Sequence, residues 1–202
     1  MKIIDIPGGQ GSPAWLQWRL SKITGTAASV LMGHNPFKSA SELWDEMMGM
    51  VPPMVSNAAM ERGTRLEPEA RELFCKTIGL EFVPIVCESD ENPWQGSSLD
   101  GWCESENAIL EIKCGSERLH NEAINGIVPL YYRDQVQHCL AVTGARICYY
   151  VSYRPEHEQK LAVVEIKTCR DAMDAITSVE RDFYFNNLKE FRRPEEWKLK
   201  QR

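Results

Sequence analysis

Asp100, Glu111 and Lys113 are the densest group of chemically capable residues in the chain. Glu111, Ile112 and Lys113 lie in an apolar run of strand character. Alternation there puts Glu111 and Lys113 on one face and Ile112 into the core. Asp100 precedes Gly101, at the expected mouth of a hairpin, and from the adjacent strand it can face Glu111. Two carboxylates a few ångströms apart repel each other unless a divalent cation bridges them. A lysine beside them can orient or deprotonate an attacking water. This D-x(n)-E-x-K arrangement is that of metal-dependent phosphodiester cleavage, in which the ion polarises the phosphate and generates hydroxide. Alone the motif is weakly specific, because exposed strand faces carry Glu and Lys for solubility.

The elements that must hold these residues can be read from periodicity and punctuation. Ser12-Pro13 opens a helix over 13–22, and Thr24 caps a second that ends at Gly33. Ser39 to Glu42 is a capping box for a third helix, which stops near Gly49. A Pro-Pro linker, Val51 to Met54, separates this part from a long helix, Ala58 to Ile78, with Gly79 at its end. Pro68 should kink that helix or begin a new segment. Strands are expected at Glu81–Cys87 and Trp94–Ser98, followed by a hairpin of Gly101–Glu104 with Ala108–Lys113. A helix over Pro129–Thr143, strands at Arg146–Tyr153 and Leu161–Lys167, and a last helix from Asp171 to about Phe191 complete the chain. The broad apolar face of that helix offers a spare contact surface. The order predicts one α/β (α+β) domain with a mixed central β-sheet flanked by helices.

The chain has 202 residues, 43% hydrophobic and 26% charged, with a net charge of −6. That is ordinary for a soluble globule and excludes a protein that coats nucleic acid through a broadly basic surface. The charge is uneven: residues 41–113 carry 15 acids against 5 bases, whereas residues 1–40 are net basic. A carboxylate-rich centre beside a basic segment suits a metal site next to an anionic substrate, although solvated acidic helix faces give the same count. No apolar run approaches the ~18 residues of a membrane span. Met1 to Gln10 has one lysine and no apolar stretch, so no signal peptide and a cytoplasmic location are expected. The seven cysteines contain no C-x-x-C pair and read as reduced, mostly buried residues.

Four blocks together carry a resemblance. They are Trp15 to Ala27, Glu61 to Arg71, Ser98–Gly101 with Leu110–Cys114, and Tyr132 to Gln137 ahead of the strand with Tyr149, Tyr150 and Tyr153. Their order and spacing resemble the lambda-type alkaline exonucleases of the YqaJ-type viral recombinase family, within the PD-(D/E)XK nuclease superfamily. The resemblance implies a single exonuclease domain over 1–202, with an N-terminal helical 5′-phosphate-binding segment at about 12–50 and a nuclease core at about 58–190. It implies that Asp100, Glu111, the main-chain carbonyl of Ile112 and Glu67 hold Mg²⁺. One or two ions would serve, with Mn²⁺ as a substitute. Lys113 would position the nucleophilic water, and Gln135 would orient the site. Arg19, with the hydroxyls of Thr24 and Thr26, would bind a terminal 5′-phosphate. Gln137 and Tyr132 are weaker DNA-contact candidates. The implied activity is 5′-to-3′ degradation of one strand from duplex DNA ends, leaving 3′ tails for annealing-type recombination. The implied partners are a ring-shaped homotrimer and a single-strand annealing protein.

The superfamily's Pro-Asp pair is Leu99-Asp100 here, which keeps the carboxylate. Asp90 matches a further family acid only if loop lengths agree. The alternatives are a PD-(D/E)XK endonuclease, a Cas4-like DNA nuclease, or a catalytically silent DNA-end-binding protein. The block around Arg19 argues against the first, the lack of a C-terminal cysteine cluster against the second, and the complete Asp100–Glu111–Lys113 set against the third. Trp15, Trp18, Trp44, Trp94 and Trp102 read as core rather than base-stacking wedges, and the four histidines have no metal-ligand spacing.

Overall fold

A computed structural model describes residues 1–52 and 57–195. Pro53 and Met54 of the expected linker lie outside the described residues. Six strands form one mixed sheet in the order β1-β2-β3-β4-β5-β6, namely β1 Lys2–Ile3, β2 Val83–Glu88, β3 Gly96–Cys103, β4 Ala108–Lys113, β5 Ile147–Tyr153 and β6 Leu161–Lys167. Every neighbouring pair is antiparallel except β4 and β5. That parallel step needs a crossover, supplied by α5 (Glu117–Ile124) and α6 (Leu130–Thr143). Helices α1 (Pro13–Leu20), α2 (Gly25–Leu31), α3 (Ala40–Met47) and α4 (Ala58–Ile78) precede the main strands, and α7 (Arg170–Asp182) follows them. The result is a single α/β domain, a six-stranded mixed sheet flanked by seven helices among the described residues.

The central strands β3, β4 and β5 are buried on both faces. Leu66, Ala70 and Phe74 on one face of α4 pack on Phe82, Leu110, Ile112, Val151 and Tyr153. Val136, Cys139 and Leu140 of α6 cover Leu99, Ile109, Cys148 and Tyr150 on the other. A third cluster joins Ile23, Ala27, Val30, Leu43, Trp44, Trp94 and Phe183. Burial of Phe74 alone contributes roughly 1.5–3 kcal/mol. Seven cysteines are free and five of them buried. Trp44 and Trp94 are buried, as expected; Trp15, Trp18 and Trp102 are half-buried.

Several expectations are corrected. Helix α4 runs through Pro68 as one element, because Leu66 on one side and Ala70 and Phe74 on the other are anchored to the same sheet face. The expected strands Trp94–Ser98 and Gly101–Glu104 are one strand, β3, and its turn to β4 lies at Glu104–Asn107, with Asn107 at φ 48°. Asn tolerates that conformation. Helix α5, capped by Ser116, occupies a span that the sequence reading left without an element. The last helix changes to a π-helical turn at Phe183–Leu188, which keeps Tyr184 stacked on Trp94 with centroids 5.5 Å apart. Its apolar face is not spare: Ile176 and Phe183 are buried within the chain's own core.

Candidate active site

Strand β4 reads Ala-Ile-Leu-Glu-Ile-Lys and is buried throughout except at Lys113. An acid inside such a strand is out of place unless it has partners. Glu111, 3% exposed, accepts a hydrogen bond from Gln135 Nε2 of α6 at 2.7 Å and pairs with Lys113. The Lys113 ammonium also stands 4.9 Å from the Tyr132 ring centroid.

Asp100 reaches this pair through a local irregularity. The β2–β3 register shifts between Val83↔Trp102 and Ile85↔Leu99, so Asp100 and Gly101 together oppose Pro84. Such a bulge re-aims a side chain, and a proline is tolerated opposite it. Leu99 consequently packs with the α6 face while Gly101 lies against Phe82 and Leu110. A Cβ at Gly101 would stand 2.8 Å from Phe82 Cβ and 3.1 Å from Leu110 Cβ, so only glycine fits. The Gly101↔Leu110 register places Asp100 across from Glu111. Asp100 Oδ2 accepts the Ile112 main-chain N–H at 2.7 Å, taking a donor that regular pairing would have used. Asp100 therefore lies inside a strand, not at the expected hairpin mouth.

Glu67 comes from α4. It pairs with Arg71 one turn on, and Arg71 Nε donates to the Asp100 carbonyl at 2.6 Å. Glu67 is thus an i,i+4 partner and a neighbour of the strand carboxylates at once. The sequence reading assigned Glu67 to the acidic site and did not anticipate the bond from Arg71 to Asp100. Spacing alone shows only the i,i+4 pair.

The electrostatics follow from crowding. Burial, then the charges of Glu111 and Glu67, push the Asp100 carboxyl well above the usual carboxylate range, against Lys113 and the Ile112 N–H. Burial also raises Glu67, opposed by Arg71 and reinforced by Glu111. Burial works against the Lys113 charge, but Glu111 and Asp100 outweigh it and raise the amine's pKa, so Lys113 stays an ammonium. Three carboxylates face two cations, and the donors are all hard oxygens, the set that suits Mg²⁺ or a similar ion. Among the described residues no three His, Cys, Asp or Glu side chains stand as a ready cation cage. Lys113 holds Glu111 and Arg71 holds Glu67, so among the described residues Asp100 is the one acid of the three without a cationic side-chain partner.

The N-terminal helices dock beside this cluster. Trp15 Nε1 donates to Ser98 Oγ of β3 at 3.0 Å, and the Arg19 guanidinium lies 4.7 Å from the Trp15 centroid. Burial lowers the Arg19 pKa, with Glu46 opposing. Among the described residues no acceptor hydrogen-bonds its guanidinium. Thr24 precedes α2 without capping it through its side chain, and Thr26 is exposed in the first turn. Gly25 abuts Gln135: a Cβ there would stand 2.8 Å from Gln135 Cγ. Thr24 and Thr26 thus flank the contact with α6, the helix that carries Gln135, whereas Arg19 lies on α1 against Trp15.

Gln137 is not brought to the cluster. Its Nε2 donates to the Lys167 carbonyl and its Oε1 accepts from Cys169 N, each at 2.9 Å, so its amide is consumed in tying α6 to the end of β6. Asp90 pairs with the Met1 ammonium at 2.6 Å. His138, which was given no role, is fully buried against Glu180.

The acid–acid–lysine cluster stands on adjacent strands of a mixed sheet, with a glutamine from the following helix, in a single α/β domain whose fold is that of solved exonucleases. The chain belongs to the YqaJ-like viral recombinase domain family, whose sequence model matches residues 14–146. It is 32% identical over 133 residues to the uncharacterized protein YqaJ of Bacillus subtilis (strain 168), covering 64% of this chain and 42% of that protein. The chain therefore matches less than half the length of that relative. An alkaline exonuclease, LHK-Exo, from Laribacter hongkongensis superposes with a TM-score of 0.77 at 26% identity, covering 89% of this chain and 94% of that one. The same exonuclease in complex with dAMP gives the same TM-score at 25% identity and equal coverage. A phage-related exonuclease from Haemophilus somnus 129PT shares the fold, with a TM-score of 0.61 at 16% identity over 87% of this chain and 99% of that chain. These matches support a nuclease role. No helix among the described residues is long and apolar enough to cross a membrane.

Proposed function

We propose that the protein is a Mg²⁺-dependent 5′-to-3′ exonuclease that degrades one strand of duplex DNA from its ends and leaves 3′ single-stranded tails for annealing-type recombination. The observation that carries this reading is the contiguous Asp100–Glu111–Lys113 cluster, with Gln135 bonded to Glu111. Asp100, Glu111 and the Ile112 carbonyl would hold one or two Mg²⁺ ions, or Mn²⁺, with Glu67 completing the acidic site. The ion supplies Lewis-acid polarisation of the phosphate and a nucleophile at neutral pH. Lys113, kept cationic by its acid neighbours, orients the attacking water and offsets charge developing on the phosphate. Gln135 fixes the Glu111 carboxylate, Tyr132 backs the lysine, and Arg71 holds Glu67 in place. Arg19, Thr24 and Thr26 receive the terminal 5′-phosphate, and the unpaired guanidinium is the feature that favours an end-specific enzyme over an endonuclease. A homotrimeric ring, a single-strand annealing partner and a cytoplasmic site of action complete the reading.

The test is digestion of end-labelled linear duplexes bearing 5′-phosphate or 5′-hydroxyl ends, with Mg²⁺ and with EDTA. Mg²⁺-dependent loss of label from the 5′ end, faster on the phosphorylated substrate, is the expected result. Degradation from the 3′ end, or cutting of closed circles, overturns the polarity. Arg19→Ala should selectively remove the preference for 5′-phosphate; a variant that keeps it would remove Arg19 from the phosphate site.

A further inference from the structure

Phe37 is the most exposed large apolar side chain among the described residues, at 80%. Its turn, between α2 and α3, is pinned from several sides. Asn35 Oδ1 accepts the Phe37 and Lys38 N–H groups at 2.8 and 3.0 Å. Asn35 Nδ2 donates to Ser29 Oγ at 2.9 Å, and the Ser29 carbonyl accepts from both His34 N and Asn35 N at 3.0 Å. His34 Nδ1 in turn meets Asp134 Oδ2 of α6 at 2.7 Å. The backbone is therefore fixed while the ring stands in water, forgoing the burial that aromatic side chains normally gain.

That ring ends a row. Phe37 meets Tyr131 edge-on with centroids 6.0 Å apart, and Tyr131 lies 4.3 Å from Tyr132. Tyr132 faces the Lys113 ammonium, and Lys113 pairs with Glu111. Aromatic surface thus runs without a break from the carboxylate cluster to solvent. We propose that Phe37 and Tyr131 are a stacking platform for unpaired nucleobases of the strand whose phosphate is held at the Asp100–Glu111–Lys113 cluster. This rests on the nuclease reading and extends it to how the strand is gripped. Every base has a π-face, so such a platform is sequence-tolerant, as an enzyme that advances along arbitrary DNA requires. A rigid exposed ring also loses little conformational entropy when a base covers it.

The experiment measures equilibrium binding of the full chain in EDTA, where no strand is consumed. The probes are a short labelled 5′-phosphorylated oligothymidylate and an abasic strand of the same length, which keeps the phosphates and lacks the bases. The wild type should bind the base-bearing strand about tenfold more tightly. Phe37→Ala should reduce that preference to near unity at an unchanged melting temperature, and Phe37→Trp should restore it. No preference in the wild type, or an unchanged preference in Phe37→Ala, overturns the platform. So does a Phe37→Ala variant that changes the subunit count in sedimentation yet keeps the base preference, which would assign the ring to a contact between copies. Mg²⁺-dependent degradation of duplex ends without base preference would remove the platform and leave the nuclease reading. Binding of neither strand, with no degradation, would remove both.

Discussion

His138 and Gln135 stand one turn apart on α6 and reach two different buried clusters of charge. At His138 the accounts close. Nδ1 meets Glu180 Oε1 at 2.7 Å, Nε2 faces the Gly96 carbonyl at 3.0 Å, and Gln95 Nε2 donates to Glu180 Oε2 at 2.6 Å. Both ring nitrogens face acceptors, one cation meets one anion, and both residues have no solvent exposure. At Gln135 the sum does not close. Asp100, Glu111 and Glu67 crowd Lys113 and Arg71, and the Asp100 carboxyl is displaced upward by burial and by its own acid neighbours. A balanced buried pair joins β3, α6 and α7; the other cluster sets three acids against two cations. Such strain marks functional sites, where stability is traded for chemistry.

The largest effects should come from breaking the unbalanced cluster. Lys113→Ala is expected to lower cleavage by about 10²–10³-fold while leaving end binding, as loss of one charge-stabilising donor does. Asp100→Asn should abolish cleavage too, yet in metal-free protein its melting temperature should equal or exceed the wild-type value, because like-charge repulsion is relieved. A calorimetric scan showing that Asp100→Asn is strongly destabilised would erase the contrast between the clusters.

The balanced cluster should behave oppositely. His138→Ala leaves Glu180 as an unpaired buried carboxylate, a change that costs about 3–5 kcal/mol, read as a lower urea midpoint. Cleavage at low temperature should stay near wild type. The pH dependence has a definite sign. Burial works against the imidazolium, but Glu180 and the two hydrogen bonds outweigh it, so the folded pKa is raised. The stabilisation is therefore full below the unfolded value of ~6.5 and disappears as pH rises through the folded pKa. The stability gap between wild type and His138→Gln should narrow from pH 6 towards alkaline pH; a widening gap would show that the histidine is buried neutral.

The two clusters were unequally legible in the sequence. Glu111 and Lys113 stand out because an acid in an apolar strand conflicts with the local pattern, whereas Asp100 read as a hairpin mouth and joined them only through the four blocks taken together. Caps and glycines fixed most helix ends, and the ends of α4 at Ala58 and Ile78 agree with the expectation. The bulge at Asp100 did not show, since it depends on pairing with β2, and Gly101 read as the start of a separate hairpin strand when it is a close contact inside β3. Gln137 looked like Gln135 from spacing two residues apart, but a helix turns by about 200° over that interval and sends one amide to Glu111 and the other to Lys167. Helix α5 has eight residues, as α1 and α3 do, but lacks the Pro at its start or the capping box that marked those two. The His138–Glu180 pair joins residues 42 positions apart, a distance over which no local pattern speaks.

The smallest expected effect tests whether the N-terminal helices are coupled to the cluster through packing. At Gly25 an added Cβ would meet Gln135 Cγ at 2.8 Å, the Gln135 carbonyl at 3.2 Å and Cys139 Sγ at 3.3 Å. The side chain can swing away, but the carbonyl belongs to α6 and cannot, so Gly25→Ala must push α2 off α6. Overpacking of this kind costs about 1–3 kcal/mol, less than loss of the buried pair. Its effect on cleavage is the informative part. Gln135 is displaced while it holds Glu111, and Thr24 and Thr26 move with α2, so the rate and the 5′-phosphate preference should fall together. Adding Gln135→Ala to Gly25→Ala vacates the Cγ contact but leaves the carbonyl at 3.2 Å, so stability should recover only in small part and the rate not at all. If Gly25→Ala instead loses stability while cleaving normally below its melting temperature, α2 is only a packing neighbour of α6. The two clusters would then differ in charge balance but not in their link to the N-terminal helices.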